Sequence, residues 1–179
     1  MSYNINMVNN LGKIHIYTGE GKGKTTAALG LAMRAAGAGF KVYLIQFLKG
    51  QADSELKSLK KIKNIFIKKF GERSFIHKVG TPKDKIAALA AFNFSKKIIK
   101  SKKFNLVILD EIFLAIFFKL IAAADIVKLI KNKPAGLELV LTGRRAPKEL
   151  IKLADYVTEM KEVKHPYQNG VLSRRGIEK

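Results

Sequence analysis

The chain has 179 residues, of which 47% are hydrophobic and 27% charged, and 34 Lys and Arg against 14 Asp and Glu give it a formal net charge of +20. This length is enough to bury a substantial core, so we predict one globular domain over residues 1–179. Because the sequence contains no cysteine, it excludes disulfides, zinc–thiolate sites, iron–sulfur clusters and thiol catalysis.

The sequence predicts neither a membrane span nor an export signal. A spanning helix needs about 18 consecutive apolar residues, and the most apolar stretch, 112–130, is interrupted by Lys119, Asp125 and Lys128. The first ten residues have no basic region followed by an apolar run, so we expect no secretory signal. We therefore expect a cytoplasmic protein with no membrane partner.

The positive charge is concentrated between residues 57 and 103, which hold 15 Lys or Arg against the two acids Glu72 and Asp84. Such a stretch can bind nucleic acid or another polyanion. However, only one of these basic residues is an arginine, and base recognition relies on arginine forks. We therefore interpret the stretch as a lysine-rich solvated surface and do not expect a nucleic-acid partner.

Predicted strands and helices alternate along the chain, between a loose arm over residues 1–12 and a polar tail over residues 161–179. Short apolar or alternating runs predict strands at 13–17, 41–47, 64–70, 104–109, 137–141 and 156–160. Apolar residues at helical spacing predict helices at 25–38, 54–61, 83–102, 112–131 (as one or two helices) and 147–153. This order predicts an α/β fold with a mostly parallel sheet, helices on both faces and a ligand at the carboxyl ends of the strands.

A glycine-rich turn joins the first strand to the first helix, with the sequence Thr18-Gly19-Glu20-Gly21-Lys22-Gly23-Lys24-Thr25-Thr26. It approximates the phosphate-binding loop G-x-x-x-x-G-K-[ST], except that Thr18 replaces the first glycine, and we predict that every residue from Thr18 to Thr26, Glu20 included, contributes to ligand binding. We predict that backbone N–H groups from Gly19 to Thr25 surround a triphosphate and that Lys24, helped by Lys22, neutralises its charge. The Thr25 hydroxyl is then a Mg²⁺ ligand, and Thr26 contacts a phosphate. The alternative is a turn without a ligand, which Gly-Lys-Thr-Thr at a helix start disfavours.

Two acids, Asp110 and Glu111, follow four apolar residues at the end of the fourth strand. A hard cation bound to triphosphate needs an oxygen ligand on a neighbouring strand, so we predict Asp110 or Glu111 as a Mg²⁺ ligand. The alternative is a pair of carboxylates that cap the next helix. In hydrolytic ATPases the second acid often orients the attacking water, so this pair does not separate hydrolysis from other triphosphate chemistry.

Polar segments also follow the second strand (46–50) and the fifth strand (142–147), and we expect both at the same edge of the sheet as the loop. Within the second of these, Arg144 is expected either to bind a phosphate or to hold a carboxylate of the loop. His15, on the first strand, is expected to be packed rather than catalytic.

Several blocks of sequence occur in an order that resembles the phosphate-loop class of ATP:corrinoid adenosyltransferases. They are Gly19-Glu-Gly-Lys-Gly-Lys-Thr-Thr-Ala-Ala-Leu-Gly30, Gln46-Phe-Leu-Lys-Gly50, Leu109-Asp-Glu111, Leu139-Val-Leu-Thr-Gly-Arg144, Ala146-Pro-Lys-Glu-Leu-Ile151, Ala154-Asp-Tyr-Val-Thr-Glu-Met160, Lys164-His-Pro-Tyr167 and Gly176-Ile-Glu178. The resemblance covers about residues 12–178. A loop without the first glycine is usual in that family, which accounts for Thr18.

The resemblance implies a three-layer, P-loop NTPase-like (RecA-like) fold and a reaction in which a Co(I) corrinoid attacks C5′ of ATP and expels triphosphate. ATP and the corrinoid are then substrates, Mg²⁺ is the cofactor, and Lys24, Thr25 and Glu111 are the catalytic candidates. The resemblance also implies a homodimer, and we consider a flavoprotein as the reductant. The C-terminal tail is expected to close over the site and keep water from the reactive metal.

Some residues depart from the family pattern. Members carry an aromatic segment ending in tryptophan that contacts the corrinoid, whereas this chain has Gly71-Glu-Arg-Ser-Phe75-Ile-His77 and no tryptophan. We assign the aromatic role to Phe75, with His77 near the tryptophan position. Phe113 stands where a polar residue is usual, and the sequence ends in Lys179 where an aromatic residue is common.

Two other functions fit parts of the sequence. A hydrolytic ATPase driven by a nucleic-acid or protein partner would explain Asp110, Glu111 and the basic stretch. A non-catalytic corrinoid- or nucleotide-binding protein would explain the altered aromatic segment. The products formed from ATP distinguish the three functions.

Overall fold

The computed structural model describes residues 11–50, 54–71 and 80–178. Within these residues six strands form one sheet, and every neighbouring pair is parallel. The strands are β1 Ile14–Thr18, β2 Val42–Phe47, β3 Ile65–Phe70, β4 Leu106–Asp110, β5 Glu138–Thr142 and β6 Tyr156–Glu159. The helices are α1 Lys24–Gly37, α2 Ser54–Leu59, α3 Pro82–Lys100, α4 Ile112–Phe117, α5 Ala123–Lys131 and α6 Lys148–Ile151.

The strand order is β3-β2-β4-β5-β1-β6. The predicted α/β class with a parallel sheet is thus confirmed, and the fold is consistent with that of the P-loop NTPases. The apolar stretch over 112–131, which the sequence left as one or two helices, forms α4 and α5.

Two hydrophobic clusters cover the two faces of the sheet and produce three layers. One cluster contains residues of α1 and α2, including Ala28, Ala32 and Leu56. Alanines on the buried side of α1 let its backbone approach the sheet closely. The other cluster contains residues of α3 to α6, such as Phe92 and Ile126.

The register of the central strands brings polar side chains to one edge of the sheet. Every residue of β4 is buried, and its last residue, Asp110, lies beside Gln46 of β2. Farther along the strand order, at the same edge, Tyr17 of β1 lies beside Thr142 of β5. The carboxyl ends of these strands therefore meet where the loop after β1 begins, as the sequence predicts.

His15 is packed, as predicted. Its Nε2 atom lies 2.6 Å from Oε1 of Glu138, and its ring stacks on Tyr156 with ring centroids 4.6 Å apart. Among the described helices, none has both the length and the apolar character needed to cross a membrane.

Candidate nucleotide-binding site

A cavity of about 840 Å³ opens at the carboxyl edge of the sheet, beside the phosphate loop. It brings together nine of the residues predicted from the sequence, namely Glu20, Gly21, Lys22, Gly23, Lys24, Thr25, Thr26, Glu111 and Arg144. Asp110 does not line the cavity; it is fully buried and bonded to Thr25, which does. Phe75 and His77, to which the sequence assigned the corrinoid contact, lie outside the described residues.

Lys24 opens α1 and is only 7% exposed. Its ammonium group donates a hydrogen bond of 2.6 Å to the carbonyl oxygen of Gly21, so the side chain folds back under the loop. Burial lowers the pKa of Lys24, and the nearby charge of Glu111 opposes that shift. The arrangement holds a positive charge under the turn where the sequence predicts phosphates.

Met160, the residue after β6, supports the phosphate loop, a contact that the sequence does not predict. Met160 donates its N–H to the carbonyl oxygen of Thr18 at 2.8 Å and accepts the N–H of Gly21 at 2.7 Å. A Cβ atom on Gly19, where φ is +97°, would collide with the Met160 backbone. Since the Gly21 N–H already has a partner, the other loop N–H groups are the available donors for phosphate.

Thr18, which replaces the first glycine of the usual loop, is 7% exposed and does not line the cavity. Its hydroxyl accepts a hydrogen bond of 3.1 Å from the N–H of Ala146. Thr18 therefore joins the loop to the segment after β5. Its predicted contact with the ligand stays a prediction.

The carboxylate of Asp110 accepts four hydrogen bonds, two at each oxygen. Oδ1 accepts from the hydroxyls of Thr25 at 2.9 Å and Thr142 at 2.6 Å. Oδ2 accepts from the amide of Gln46 at 3.0 Å and the ammonium of Lys49 at 2.8 Å. Burial alone would raise the pKa of Asp110, but the charge of Lys49 and these hydrogen bonds hold it below its ordinary value.

Glu111 follows in a left-handed backbone conformation, with φ of +63°. Its N–H donates to the Thr142 hydroxyl at 3.0 Å, whereas within the described part of the chain its carboxyl group has no hydrogen bond. Burial and the neighbouring charge of Asp110 raise the pKa of Glu111. The two adjacent acids therefore have opposite properties: Asp110 is held ionised, and Glu111 is biased toward its protonated form.

Arg144 holds a carboxylate of the loop, one of its two predicted roles. Its Nη1 atom lies 3.1 Å from Oε2 of Glu20, and Nε of Arg145 lies 3.5 Å from the other oxygen. All three side chains are about half exposed, so these ion pairs stabilise the fold little. Arg144 remains at the cavity wall, where a bound phosphate would compete with Glu20 for it.

The C-terminal tail lies along the cavity, where its lining includes Ser173, Ile177 and Glu178. The Glu178 carboxylate accepts a hydrogen bond of 3.1 Å from Lys22 and forms a bidentate ion pair with the Arg174 guanidinium at 2.9 and 3.2 Å. The Arg174 side-chain hydrogen bond is the largest cause that holds the pKa of Glu178 well below its ordinary value. A carboxylate thus neutralises one lysine of the phosphate loop.

The donor atoms at the cavity fit a magnesium ion. Thr25, Asp110 and Glu111 carry oxygen atoms, the ligand type that Mg²⁺ prefers, and both oxygens of Asp110 are engaged in hydrogen bonds in the nucleotide-free protein. The buried Oε1 of Gln46 has no hydrogen-bond partner in the part of the chain that the structure describes, so it can accept a hydrogen bond from a water at this site. Among the described residues no group of three or more His, Cys, Asp or Glu is placed to hold a metal ion.

The chain is similar to proteins of known activity. A sequence model of the family described as ATP:corrinoid adenosyltransferase BtuR/CobO/CobP matches residues 10–178. A corrinoid adenosyltransferase of a Sinorhizobium species is 33% identical over 177 residues, covering 93% of this chain and 80% of that protein. One from Pseudomonas aeruginosa is 31% identical over 176 residues, covering 93% and 83%. One from Escherichia coli K12 is 29% identical over 167 residues, covering 93% and 85%.

Proposed function

The chain belongs to the ATP:corrinoid adenosyltransferase family, and we propose that it transfers the 5′-deoxyadenosyl group of ATP to a Co(I) corrinoid with release of triphosphate. It is a transferase of an alkyl group, and ATP and a corrinoid are its substrates. The observation that carries the proposal beyond the family is the buried ammonium of Lys24 under a glycine-rich turn, beside Asp110 and Glu111.

The proposed reaction is a displacement at carbon. The electron pair of Co(I) attacks C5′ of ATP, the cobalt–carbon bond forms, and the bond from C5′ to the triphosphate oxygen breaks. The triphosphate leaves with the electron pair of that bond. Because the metal of the substrate is the nucleophile, no protein base is needed, and the protein must align C5′ with cobalt.

The residues at the cavity suit a triphosphate leaving group. Lys24 and Lys22 supply positive charge where negative charge accumulates on the departing oxygen. The remaining loop N–H groups and Thr26 are proposed to bind the phosphate oxygens. Phosphate binding at Lys22 and Arg144 would replace their present partners, Glu178 and Glu20.

We propose that Thr25, with Asp110 or Glu111, holds Mg²⁺ at this site. The bound ion would neutralise triphosphate charge and so improve the leaving group. Burial and the charge of Asp110 raise the pKa of Glu111 even though Lys49, Lys24 and Arg144 oppose that shift, and a metal ion nearby would favour the ionised form further. Glu111 is therefore suited to respond to a metal ion, whereas Asp110 is already ionised and hydrogen-bonded.

The proposal also assigns roles to the C-terminal tail and to Phe75. The tail over 161–178 is proposed to shield the reactive cobalt from water, and Phe75 to contact the corrinoid. Homodimer formation, a flavoprotein as electron donor and a cytoplasmic location stay predictions from the sequence. Sedimentation of the purified protein tests the first of these directly.

Product analysis tests the function. The protein is incubated with ATP, Mg²⁺ and chemically reduced cobalamin, and we expect triphosphate and a photolabile adenosyl–cobalt product in equal amounts. ADP and phosphate formed without dependence on the corrinoid would establish the hydrolytic ATPase instead. ATP that binds but yields neither set of products would indicate a non-catalytic binding protein.

A further inference from the structure

Lys49 lies just after β2, and neither the proposed reaction nor the loop motif assigns it a role. Its ammonium nitrogen is 2.8 Å from Oδ2 of Asp110 and 3.3 Å from the hydroxyl oxygen of Thr25. It therefore contacts Thr25 and Asp110, two of the three groups that the proposed function offers to Mg²⁺. The ammonium group of Lys49 thus lies between the first turn of α1 and the end of β4.

The backbone on both sides of Lys49 is held in a fixed conformation, and this fixes the position from which its side chain extends to Asp110. Leu48 has φ of +53°, a left-handed conformation that is unfavourable for a residue with a side chain. The Lys49 N–H donates to the carbonyl oxygen of Phe70 at 3.2 Å. Gly71 packs so closely that a Cβ atom there would lie 2.6 Å from the Lys49 nitrogen. A strained conformation held by its surroundings indicates a functional constraint.

No acceptor position on Asp110 is open to a second cation. An ionised carboxylate has about four lone-pair sites, and Thr25, Thr142, Gln46 and Lys49 already use them. Three of these donors are neutral, and Lys49 is the charged one. Metal coordination by this carboxylate therefore displaces one of the four donors, and the ammonium group, whose positive charge repels the ion, is the donor expected to leave.

Lys49 is able to leave because its side chain is partly open to the cavity. Its side-chain exposure is 23%, whereas that of Asp110 is zero, and the residue lines the cavity. A lysine stem is flexible and its three donors rotate freely. A triphosphate in the cavity offers this ammonium group an alternative anionic partner.

We propose that Lys49 is an internal counter-ion that exchanges with Mg²⁺. In the nucleotide-free protein its ammonium group neutralises Asp110. When Mg²⁺ and ATP bind, the ion takes that place and the ammonium group moves to the triphosphate. This inference rests on the proposed function for the identity of the phosphate ligand, and it makes Lys49 a positioning residue that couples metal entry to phosphate binding.

The proposal requires that Mg²⁺ can bind beside Asp110 once the ammonium group is absent, so the first test measures the Mg²⁺ response of the nucleotide-free protein with and without the charge of Lys49. We compare the wild type with Lys49→Met, which keeps the stem and removes the charge. Lys57→Met is the matched control, because Lys57 is exposed on α2 and its substitution changes the net charge equally. Thermal unfolding is measured with and without Mg²⁺ at constant ionic strength.

We expect the wild type and Lys57→Met to be insensitive to Mg²⁺, because Lys49 excludes the ion. Lys49→Met should gain a Mg²⁺-dependent rise in melting temperature, about 3 to 5 °C at ten times the dissociation constant. Lys49→Arg, which keeps the charge, should not gain it. A Lys49→Met protein without any Mg²⁺ response overturns the proposal.

A second measurement uses the wild-type protein and does not depend on how the variants fold. In a crystal structure with Mg²⁺ and ATP, we expect the Lys49 ammonium within hydrogen-bond distance of a phosphate oxygen and no longer on Asp110. An ammonium group still paired with Asp110 overturns the proposal.

If the assay with reduced cobalamin yields ADP while these results hold, the proposed function fails and the exchange stands. If the assay yields an adenosyl product and Lys49→Met shows no Mg²⁺ response, the proposed function holds and the exchange fails.

Discussion

The Thr25 hydroxyl donates a hydrogen bond of 2.9 Å to a carboxylate oxygen of Asp110. This bond joins the first turn of α1 to the end of β4, two segments 85 residues apart in the chain. It places the phosphate loop and the acidic pair in one site before any ligand binds. Substitutions on either side of this bond therefore test both the stability of the fold and the chemistry of the cavity.

The first prediction concerns Lys24. We expect Lys24→Ala to lower ATP affinity and turnover by about 100-fold or more, the loss typical of removing one donor from a developing anion. Isothermal titration with ATP and the cobalamin assay measure the two quantities. Lys22→Ala is the comparison, and it should lose less because Lys22 is half exposed and already paired with Glu178. Unchanged turnover in Lys24→Ala would refute the phosphate-loop assignment.

The second prediction concerns Asp110. Asp110→Asn removes the charge that Lys49 faces, and we expect it to reduce the free energy of unfolding by about 2 to 3 kcal/mol. A fully buried pair typically costs about 3 to 5 kcal/mol to break, and the exposure of Lys49 lowers that figure. Urea unfolding at pH 7 measures the difference.

The pH dependence of this difference has a defined sign. Because the folded pKa of Asp110 is lowered, its contribution is fully present above the ordinary value of 3.8 and is lost as the pH falls through the folded pKa. The wild type and Asp110→Asn should therefore converge in stability only below pH 3.8. A difference that is constant down to strong acid would show that the carboxylate charge does not stabilise the fold.

The third prediction has the opposite sign and concerns Glu111. Its pKa is raised by burial and by Asp110, so ionised Glu111 destabilises the nucleotide-free fold at neutral pH. We expect Glu111→Gln to increase the free energy of unfolding by about 1 kcal/mol at pH 7, a gain typical when a functional residue is neutralised. The gain should vanish as the pH falls below 4.5, the ordinary pKa of the group. A Glu111→Gln protein less stable than the wild type at pH 7 would contradict this account.

The fourth prediction concerns the tail. Glu178→Gln weakens the pairs with Lys22 and Arg174, and we expect trypsin to cleave after Arg174 and Arg175 faster than in the wild type. High salt should accelerate cleavage of the wild type toward the variant rate, because exposed ion pairs are screened. Mass spectrometry of timed digests follows both proteins. Glu162→Gln, which removes a tail carboxylate that accepts a hydrogen bond from Gln168, is the control, and equal rates in all three proteins would refute the role of Glu178.

The fifth prediction concerns Phe75, whose role comes from the sequence alone. Phe75→Ala should raise the KM for the corrinoid by about tenfold, the loss expected when an aromatic contact with a ligand is removed. ATP affinity should change little. Steady-state kinetics with each substrate varied in turn separates the two effects. A loss of the same size for ATP would mean that Phe75 belongs to the core.

Much of the fold follows from local patterns in the sequence. The run Leu106–Leu109 is apolar on both faces, which indicates a central parallel strand, and the structure buries it completely. The glycine-rich turn before Lys24 marks a strand-to-helix junction by its composition alone. The continuous apolar character of residues 112–131 did not show the break between α4 and α5, because both helices bury apolar residues and no proline or glycine separates them.

The contacts that the sequence did not predict depend on which strands are neighbours. Met160 supports the phosphate loop because β6 pairs with β1, and no local pattern encodes that adjacency. Lys49 and Thr142 were placed at the correct edge of the sheet, but their bonds to Asp110 follow from the register of β2, β4 and β5. The sequence therefore predicted the position of the site better than the partners within it.

The pairing of β1 with β5 and β6 also has a consequence for synthesis on the ribosome. The phosphate loop emerges early, yet both neighbours of its strand and the Met160 contact lie in the last quarter of the chain. Such non-local pairing has to wait until the distant segments are available. A nascent chain that lacks residues up to 160 cannot form the β1–β6 pairing or the Met160 contact with the loop, so we expect ATP to stabilise the loop only after those segments have been made.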